Sequence, residues 1–416
     1  MAAKSIRASG STLRVKAAKE AADGSLSRNP QPATRNLYMD NAATSFPKPE
    51  AVEKALLHYH REIGASAGRG GYPRAVAAGR ILDDTRKLLA QLFNVRQSDQ
   101  IIFTFNASDS LNLAIKGIDW KPGDAAVVSM MEHNSVLRPL HELKERAGIK
   151  IVKVKASDQG LIDPIELAKS LVPHTKLIAV LHGSNVSGTI QPIAEIGDIA
   201  RRKGIAFLVD ASQTAGALPI DVEAMKIDLL AFPGHKALLG PLGTGGLYIR
   251  PGLNLRTIKE GGTGSQSEHE VQPTFLPDRY EPGSHNGLGI AGWKAGLEYI
   301  LDKGVSAIRA HEEKLTEQFL HDAAKVPGLT LYGPQHAPAQ VAVVSLRLGD
   351  FAPVELSHRL FERAGLMTRS GLHCAPGAHQ AIGSYPAGTT RFSFGAFNTS
   401  ADIRQASAAL LDLANT

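Results

Sequence analysis

The stretch IAFLVDASQTAG, residues 205–216, indicates the fold class. It begins with a short run of apolar residues, which predicts a strand buried on both faces, as in parallel sheets covered by helices. The run ends on Asp210, and a polar loop containing Gln213 follows. Open α/β sheets bind ligands beyond the carboxyl ends of their strands. The stretch therefore predicts an α/β protein with a site beside Asp210.

Further segments of the same kind extend this prediction. Amphipathic helical segments, such as AVEKALLHYHREI at 51–63 and RILDDTRKLLAQLF at 80–93, alternate with apolar runs. The other strand candidates are QIIFTF, DAAVVSM, KIVKVKA, KLIAVLH, DLLAF and GGLYIR. Together they predict a mainly parallel sheet of seven strands wound by helices.

The later part of the chain predicts a second, smaller α/β domain. A long helical stretch, broken near Gly304, leads into a β, α, β, β, α pattern. Its segments are QVAVVSLRL, PVELSHRLFERAG, LMTRSG, TTRFSFGAF and ADIRQASAALLDLAN. We expect a large domain over 37–300, whose first residues pack with the small domain, and a small C-terminal domain over 301–416.

The first 36 residues predict a disordered basic tail. They hold seven Lys or Arg against Glu20 and Asp23, a net charge of +5 out of +6 for the whole chain. The rest is close to neutral, so the sequence indicates no nucleic-acid-binding face. The tail lacks the apolar segment of a secretory signal, and early Arg and Ser leave an organelle transit peptide as the alternative to a cytoplasmic protein.

Cysteine content and hydropathy exclude other classes. Cys374 is the only cysteine among 416 residues, which excludes an internal disulfide framework and zinc sites made from paired cysteines. The sequence has no apolar run of the roughly 18 residues that a membrane span requires. We expect no metal site and no membrane association. Cys374 itself is either a small buried residue or a reactive thiol in the Gly- and Pro-containing loop RSGLHCAPGAH.

Polar residues that follow the predicted strands supply the parts of a pyridoxal phosphate site. Such a site needs a lysine, a carboxylate for the ring nitrogen, a flat partner, a donor to the ring hydroxyl and an anion cradle. Taken alone, Ser108 is explained as well by a role as helix N-cap, and Lys236 is explained by a surface lysine in a loop. The residues that fill these roles in order are Lys236, Asp210, His133, Asn185 and the Ala107–Ser108 turn.

Seven motifs carry a resemblance to a known family. They are YMDNAATSFPKP, MEHNSVL, HGSNVSGTIQPI, LVDASQTAGALPIDV, AFPGHKALLGPLGTGGLYI, YEPGSHN and RSGLHCAPGAH…TTRFSFGAFNT. In order and spacing they resemble cysteine desulfurases, in the class V branch of the fold type I pyridoxal phosphate enzymes. The short RSGLHCA loop resembles the group II, Suf-type members.

The resemblance implies a role for each matching residue. Lys236 would hold the cofactor, Asp210 would meet the pyridine nitrogen, and His133 would stack on the ring and move protons. The other implied cofactor contacts are Asn185 and Gln213 at the ring hydroxyl, and Ala107, Ser108, His235 and Ser284 at the phosphate, with Ser284 reaching into the neighbouring subunit of a homodimer. The implied substrate contacts are Arg391 at the carboxylate, with Asn41, Ala42 and Arg369 beside it.

The implied reaction converts L-cysteine to L-alanine and leaves a persulfide on Cys374 for an acceptor protein, as in iron–sulfur cluster assembly. His373 is a candidate to stabilise the thiolate. The alternatives are a selenocysteine lyase or another class V aminotransferase or lyase in which Cys374 is incidental. A nucleotide-binding loop at GPLGTGG is not indicated, because the spacing of a P-loop is missing. Two residues depart from the pattern of this family. Pro233 stands where many relatives have serine, and Asp109 stands where glutamate is usual.

Overall fold

The computed structural model describes residues 36–68 and 70–416, so the predicted tail up to residue 35 lies outside the described residues. The strands are β1 (Leu37–Tyr38), β2 (Ile101–Thr104), β3 (Ala125–Ser129), β4 (Lys150–Val154), β5 (Thr175–Leu181), β6 (Ala206–Asp210), β7 (Leu229–Pro233), β8 (Gly245–Ile249), β9 (Leu329–Tyr332), β10 (Val343–Leu348), β11 (Leu366–Met367), β12 (Arg369–Gly371) and β13 (Thr389–Ser393). The α-helices are α1 (Glu50–His58), α2 (Pro73–Phe93), α3 (Ala107–Lys116), α4 (Asn134–Ala147), α5 (Pro164–Lys169), α6 (Ile193–Lys203), α7 (Gly287–Lys303), α8 (Val305–Ala323), α9 (Pro353–Ala364), α10 (Pro376–Ala381) and α11 (Ser400–Ala414).

The large sheet has the predicted seven strands. Their order is β2-β8-β7-β6-β5-β3-β4, and β8 is antiparallel to both of its neighbours while the other pairs are parallel. The sheet is therefore mixed but mainly parallel. The carboxyl ends of β3, β5, β6 and β7 lie along one edge, where the loops that follow them meet.

Both faces of this sheet are buried, as the continuous apolar runs predict. Along β6, Phe207 and Val209 pack into one apolar cluster, while Leu208 packs into a second cluster on the opposite face. Successive side chains of a strand point to opposite faces, so both layers must exclude water for a run such as AFLV to be stable.

The C-terminal part forms a second sheet, with the order β12-β13-β10-β9. The helical stretch before it is broken as expected: Gly304 has φ +79° between α7 and α8. β9 has no counterpart in the sequence prediction, because it is a half-buried edge strand without a clear apolar run.

One strand of the β, α, β, β, α pattern predicted for the C-terminal part is wrong. Its second strand, LMTRSG at residues 366–371, is predicted as a single strand, but the structure divides it between two sheets: β11 pairs in parallel with β1, and β12 pairs antiparallel with β13. Leu37 and Met39 from the start of the described chain share an apolar cluster with Leu346 and Phe392. The domain boundary at residue 300 stays a prediction.

No helix within residues 36–68 and 70–416 is long and apolar enough to cross a membrane.

Candidate active site

A cavity of about 350 Å³ opens at the carboxyl edge of the large sheet. This volume is in the range that holds a small organic ligand. Eight of the predicted cofactor-binding residues line it together: Ala107, Ser108, His133, Asn185, Asp210, Gln213, His235 and Lys236. They lie at the carboxyl end of β6 or in the segments that directly follow β2, β3, β5, β6 and β7, so the sheet topology brings together residues that are far apart in the sequence.

The N-terminus of α3 forms one end of the cavity. Asn106 is the N-cap, and its side chain accepts a hydrogen bond from Asp109 N at 3.0 Å. The N-cap interpretation of Ser108 is therefore wrong; the Ser108 hydroxyl shares a hydrogen bond of 2.6 Å with Ser135 Oγ, and both residues line the cavity. Free N–H groups and hydroxyls at a helix N-terminus suit a phosphate group.

Lys236 and Asp210 provide a buried amine and a buried carboxylate. Burial lowers the pKa of Lys236 to about 8, while Asp210 opposes this shift through its negative charge. The interpretation of Lys236 as a surface lysine is thus wrong. Asp210 is 5% exposed, and its Oδ1 accepts a hydrogen bond from Ser212 N at 2.9 Å, which fixes the carboxylate at the end of β6.

The two predicted histidines are held as neutral rings. His133 is the N-cap of α4, and its Nδ1 accepts a hydrogen bond from Ser135 N at 3.1 Å, so the neutral ring carries its proton on Nε2. Burial lowers the pKa of His133, and it lowers that of His235 to about 4. His235 Nδ1 is buried and has no hydrogen-bond partner among the described residues.

The predicted carboxylate receptor Arg391 is bonded to the backbone of Asn185 and is not among the residues that line the cavity. It is 2% exposed; Nη1 donates to Asn185 O at 3.0 Å, and Nη2 donates to Asp40 Oδ1 at 2.6 Å. Arg369 is directly opposite Arg391 in the β12–β13 pair and is exposed.

Asn41 and Ala42 belong to an adjoining small cavity that Lys236 also lines. Asn41 Nδ2 donates to Ser393 O at 3.1 Å, and Ala42 O accepts a hydrogen bond from Gln213 Nε2 at 3.1 Å. These contacts tie the YMDNAAT segment to the loop after β6 and to β13.

Cys374 is exposed, which contradicts the buried alternative. His373 and Cys374 both have left-handed backbone angles, with φ of +46° and +59°. The His373 ring is buried and bonded to Thr389 Oγ1 at 3.2 Å, and burial lowers its pKa to about 2. A neutral, buried imidazole supplies no positive charge to a thiolate, so the structure offers no support for that role of His373.

Ser284 lies outside the cavity of its own chain. It lines a neighbouring cavity of about 220 Å³, and the two cavities share Phe105 and Gly243 as walls. Beside Ser284, buried Glu281 pairs with Arg86 at 2.5 Å and with His285 at 2.6 Å, which fixes this loop.

The two departures from the family pattern have clear positions. Pro233 ends β7 and lines the cavity, where it offers neither a hydroxyl nor an N–H. Asp109 accepts a hydrogen bond from Phe105 N at 3.1 Å and pairs with Lys259 Nζ at 2.7 Å, so it holds the first turn of α3 in place.

Three residues that support the site were not predicted from the sequence. Asp40 pairs with Arg391, Ser135 bonds to both Ser108 and His133, and Lys48 Nζ donates to His235 O at 2.7 Å. Burial lowers the pKa of Lys48 to about 8. Asp40 and Lys48 lie within the motif YMDNAATSFPKP, but their partners are 351 and 187 residues away, and a single sequence does not show such pairs.

Within the described part of the chain, no group of three or more His, Cys, Asp or Glu side chains is arranged to hold a metal ion.

Residues 37–405 match the family described as aminotransferase class-V. The chain belongs to this family. Its class-V relatives include a probable cysteine desulfurase from Methanothermobacter thermautotrophicus, which is 35% identical over 89% of this chain and 92% of the relative. The family is one of pyridoxal-phosphate-dependent enzymes.

Two solved structures of cysteine desulfurases have the same fold. One, from Thermococcus onnurineus in its apo form, is 32% identical with a TM-score of 0.86 and covers 91% of this chain and 94% of its own. The other, an S-sulfonic acid form from Escherichia coli, is 28% identical with a TM-score of 0.82 and covers the same shares, 91% and 94%. The predicted α/β fold, with a mainly parallel seven-stranded sheet, is confirmed. The Suf-type subgroup stays a prediction.

Proposed function

We propose that this protein is a pyridoxal-phosphate-dependent cysteine desulfurase, which converts L-cysteine to L-alanine and transfers the sulfur to Cys374. The observation that carries the proposal is the exposed position of Cys374 on a loop whose backbone is bonded to the cavity wall. The cysteine desulfurase names of its relatives over most of the chain agree with it.

The donor set of the cavity fits pyridoxal phosphate. Lys236 Nζ would bind the cofactor, the N-terminus of α3 with Ser108 and Ser135 would bind the phosphate, and His235 Nδ1 is a buried polar atom still in need of a partner. Asp210 closes β6 and lines the same cavity, where it would be the partner of the ring nitrogen. When bound, the cofactor supplies a ring that accepts the electrons released as the α-C–H bond of the substrate breaks.

The residues of the chain then have distinct tasks. Arg391 would bind the substrate carboxylate, for which its planar guanidinium is suited. Asp210 would keep a proton on the pyridine nitrogen, and Lys236 would take the α-proton on Nζ, because burial favours its neutral form. His133 carries its proton on Nε2, so this atom would be a second group that can donate a proton in the reaction.

Cys374 would complete the reaction as a nucleophile. Its thiolate attacks the sulfur of the substrate, so that an S–S bond forms and the C–S bond breaks. The electron pair left on carbon takes up a proton, which gives alanine, and Cys374 keeps one extra sulfur atom as a persulfide. An exposed loop can then present this sulfur to an acceptor protein.

Asp210→Asn tests the role of the buried carboxylate. We expect the variant to keep its cofactor on Lys236 but to form alanine about 10²–10³-fold more slowly, since an amide cannot stabilise a protonated ring nitrogen. Cofactor content is read from absorbance and alanine from chromatography. Asp163→Asn is the control, because it makes the same change at the N-cap of α5 and Asp163 does not line the cavity. Alanine release from Asp210→Asn at the wild-type rate would refute the assignment.

The homodimer forms part of this proposal, and a mixture of two variants, one of them at Ser284, tests it. Ser284 lies beyond the wall formed by Phe105 and Gly243, which fits a reach toward the site of a second copy. A 1:1 mixture of Ser284→Ala and Lys236→Ala chains, unfolded and refolded together, should restore about a quarter of the sites in randomly formed dimers. The measurement is alanine formation in the mixture compared with each variant alone.

The control mixture pairs Lys236→Ala with Asp210→Asn. Both residues line the cavity of one chain, so every site in the mixed dimer lacks one of them and activity should stay low. Equal activity in the two mixtures, or a fully active monomer in sedimentation, would contradict the shared site.

A further inference from the structure

The backbone of the thiol loop is held in an unfavourable conformation. His373 and Cys374 are consecutive residues with side chains, and both have left-handed φ angles. Such a pair persists only where surrounding contacts determine it. Within the loop, Ala375 N donates to Leu372 O at 2.9 Å, which closes the turn but does not fix it to the rest of the protein.

Two hydrogen bonds fix this turn to the cavity wall. Asn185 Nδ2 donates to His373 O at 2.7 Å, and Asn134 N, the first N–H of α4, donates to Cys374 O at 2.8 Å. One of these donors is a backbone group that mutation cannot remove. The other is the Asn185 side chain, which also lines the cofactor cavity.

The backbone at Asn185 is held from both sides. Ser184 Oγ accepts hydrogen bonds from Val186 N and Ser187 N, each at 3.1 Å, and this closes the turn that contains Asn185. Arg391 Nη1 donates to the Asn185 carbonyl at 3.0 Å, and the same guanidinium is held by Asp40. Asn185 is therefore fixed to the predicted carboxylate receptor by its backbone and to the thiol loop by its side chain.

We propose that Asn185 is the positioning residue for Cys374. A primary amide has two N–H groups, so one can hold His373 O while the other remains for the ring hydroxyl of the cofactor. One side chain then couples the thiol loop to the cofactor and, through Arg391, to the bound substrate. The coupling to the cofactor and the substrate rests on the proposed function, but the hydrogen bond from Asn185 to the thiol loop does not.

Hydrogen–deuterium exchange of the loop tests the hold directly. In the full-length, cofactor-loaded protein, Asn185→Asp should speed exchange in the peptide spanning residues 372–381 by about fivefold, the effect of losing one ordinary hydrogen bond. Gln213→Glu is the matched control: it makes the same amide-to-acid change on the same cavity, but Gln213 Nε2 donates to Ala42 O and not to the loop. Exchange in α11 reports on the overall fold in both variants.

The inference is overturned if loop exchange in Asn185→Asp equals that of wild type, or if Gln213→Glu speeds it equally. Should Asn185→Asp fail to fold, as judged by exchange in α11, Asn185→Ala provides the same comparison without a new charge.

A second measurement separates positioning from general damage. Selenium leaves carbon more readily than sulfur, so selenocysteine depends less on attack by Cys374. We expect Asn185→Asp to lower kcat for cysteine at least about tenfold more than kcat for selenocysteine, the excess expected from a displaced nucleophile. Gln213→Glu should lower both by similar factors. Equal losses in Asn185→Asp would refute the positioning role, whereas alanine formation by Cys374→Ser would refute the proposed function and leave the exchange result standing.

Discussion

Cys374→Ser should bind pyridoxal phosphate and L-cysteine normally and yet release almost no alanine. Lys236, Asp210 and Arg391 are untouched by this change, so binding is retained, but a hydroxyl cannot accept sulfur from the substrate. We expect alanine formation from cysteine to fall by roughly 10³-fold or more. Activity on selenocysteine should fall much less.

Wild-type protein supplies the positive result. After incubation with cysteine and without reductant, it should gain one sulfur atom by intact mass, and a thiol should remove it. Because Cys374 is the only cysteine in the chain, this gain has one possible thiol acceptor. Wild-type rates of alanine formation in Cys374→Ser would make the protein a class V lyase in which this thiol is incidental.

Lys236→Ala should lose both the bound cofactor's absorbance and the activity. The lysine holds the cofactor and takes the substrate proton in our proposal, so we expect alanine formation to fall by roughly 10³-fold or more. Burial lowers the pKa of Lys236 to about 8, which leaves a useful fraction of neutral amine near neutral pH. Spectra before and after dialysis measure retention of the cofactor.

Lys48→Met is the control for this variant. Burial also lowers the pKa of Lys48 to about 8, and its Nζ donates a hydrogen bond to the carbonyl of His235, next to Lys236. Borohydride reduction of the loaded wild-type protein should place the cofactor's mass on the peptide that contains Lys236 and not on the one with Lys48. A cofactor label on Lys48, or a coloured Lys236→Ala protein, would contradict the assignment.

The large sheet could be predicted from the sequence because its strands are short, continuous apolar runs. Each of the seven predicted runs coincides with one of the strands to within a residue or two at either end, and IAFLVD ends at the residue that closes β6. The break at Gly304 was also visible, since glycine marks a change of direction between two helical patterns. Local sequence was sufficient wherever burial alone determined the element.

Pairing between distant segments could not be predicted in the same way. LMTRSG has the composition of one strand, but its first half pairs with β1 and its second half pairs with β13. The sequence does not show which partner each half takes. The ion pair between Arg391 and Asp40 was missed for the same reason. Arg391 was recognised as a candidate receptor, while the carboxylate that holds it depends on the tertiary structure.

The parallel pair of β1 and β11 also bears on how the protein is made. Leu37 aligns with Leu366 and Tyr38 with Met367, so β1 has no partner in this pair until more than 300 further residues have been synthesised. Contacts of such long sequence separation slow folding, because a long loop must close before they form. Met39, which is fully buried in the finished protein, stays uncovered during that time. The strands of the large sheet all lie within residues 101–249, so this sheet can assemble first. The pair between Arg391 and Asp40 forms only after residues 366–393 have been made and have paired with residues 37–40.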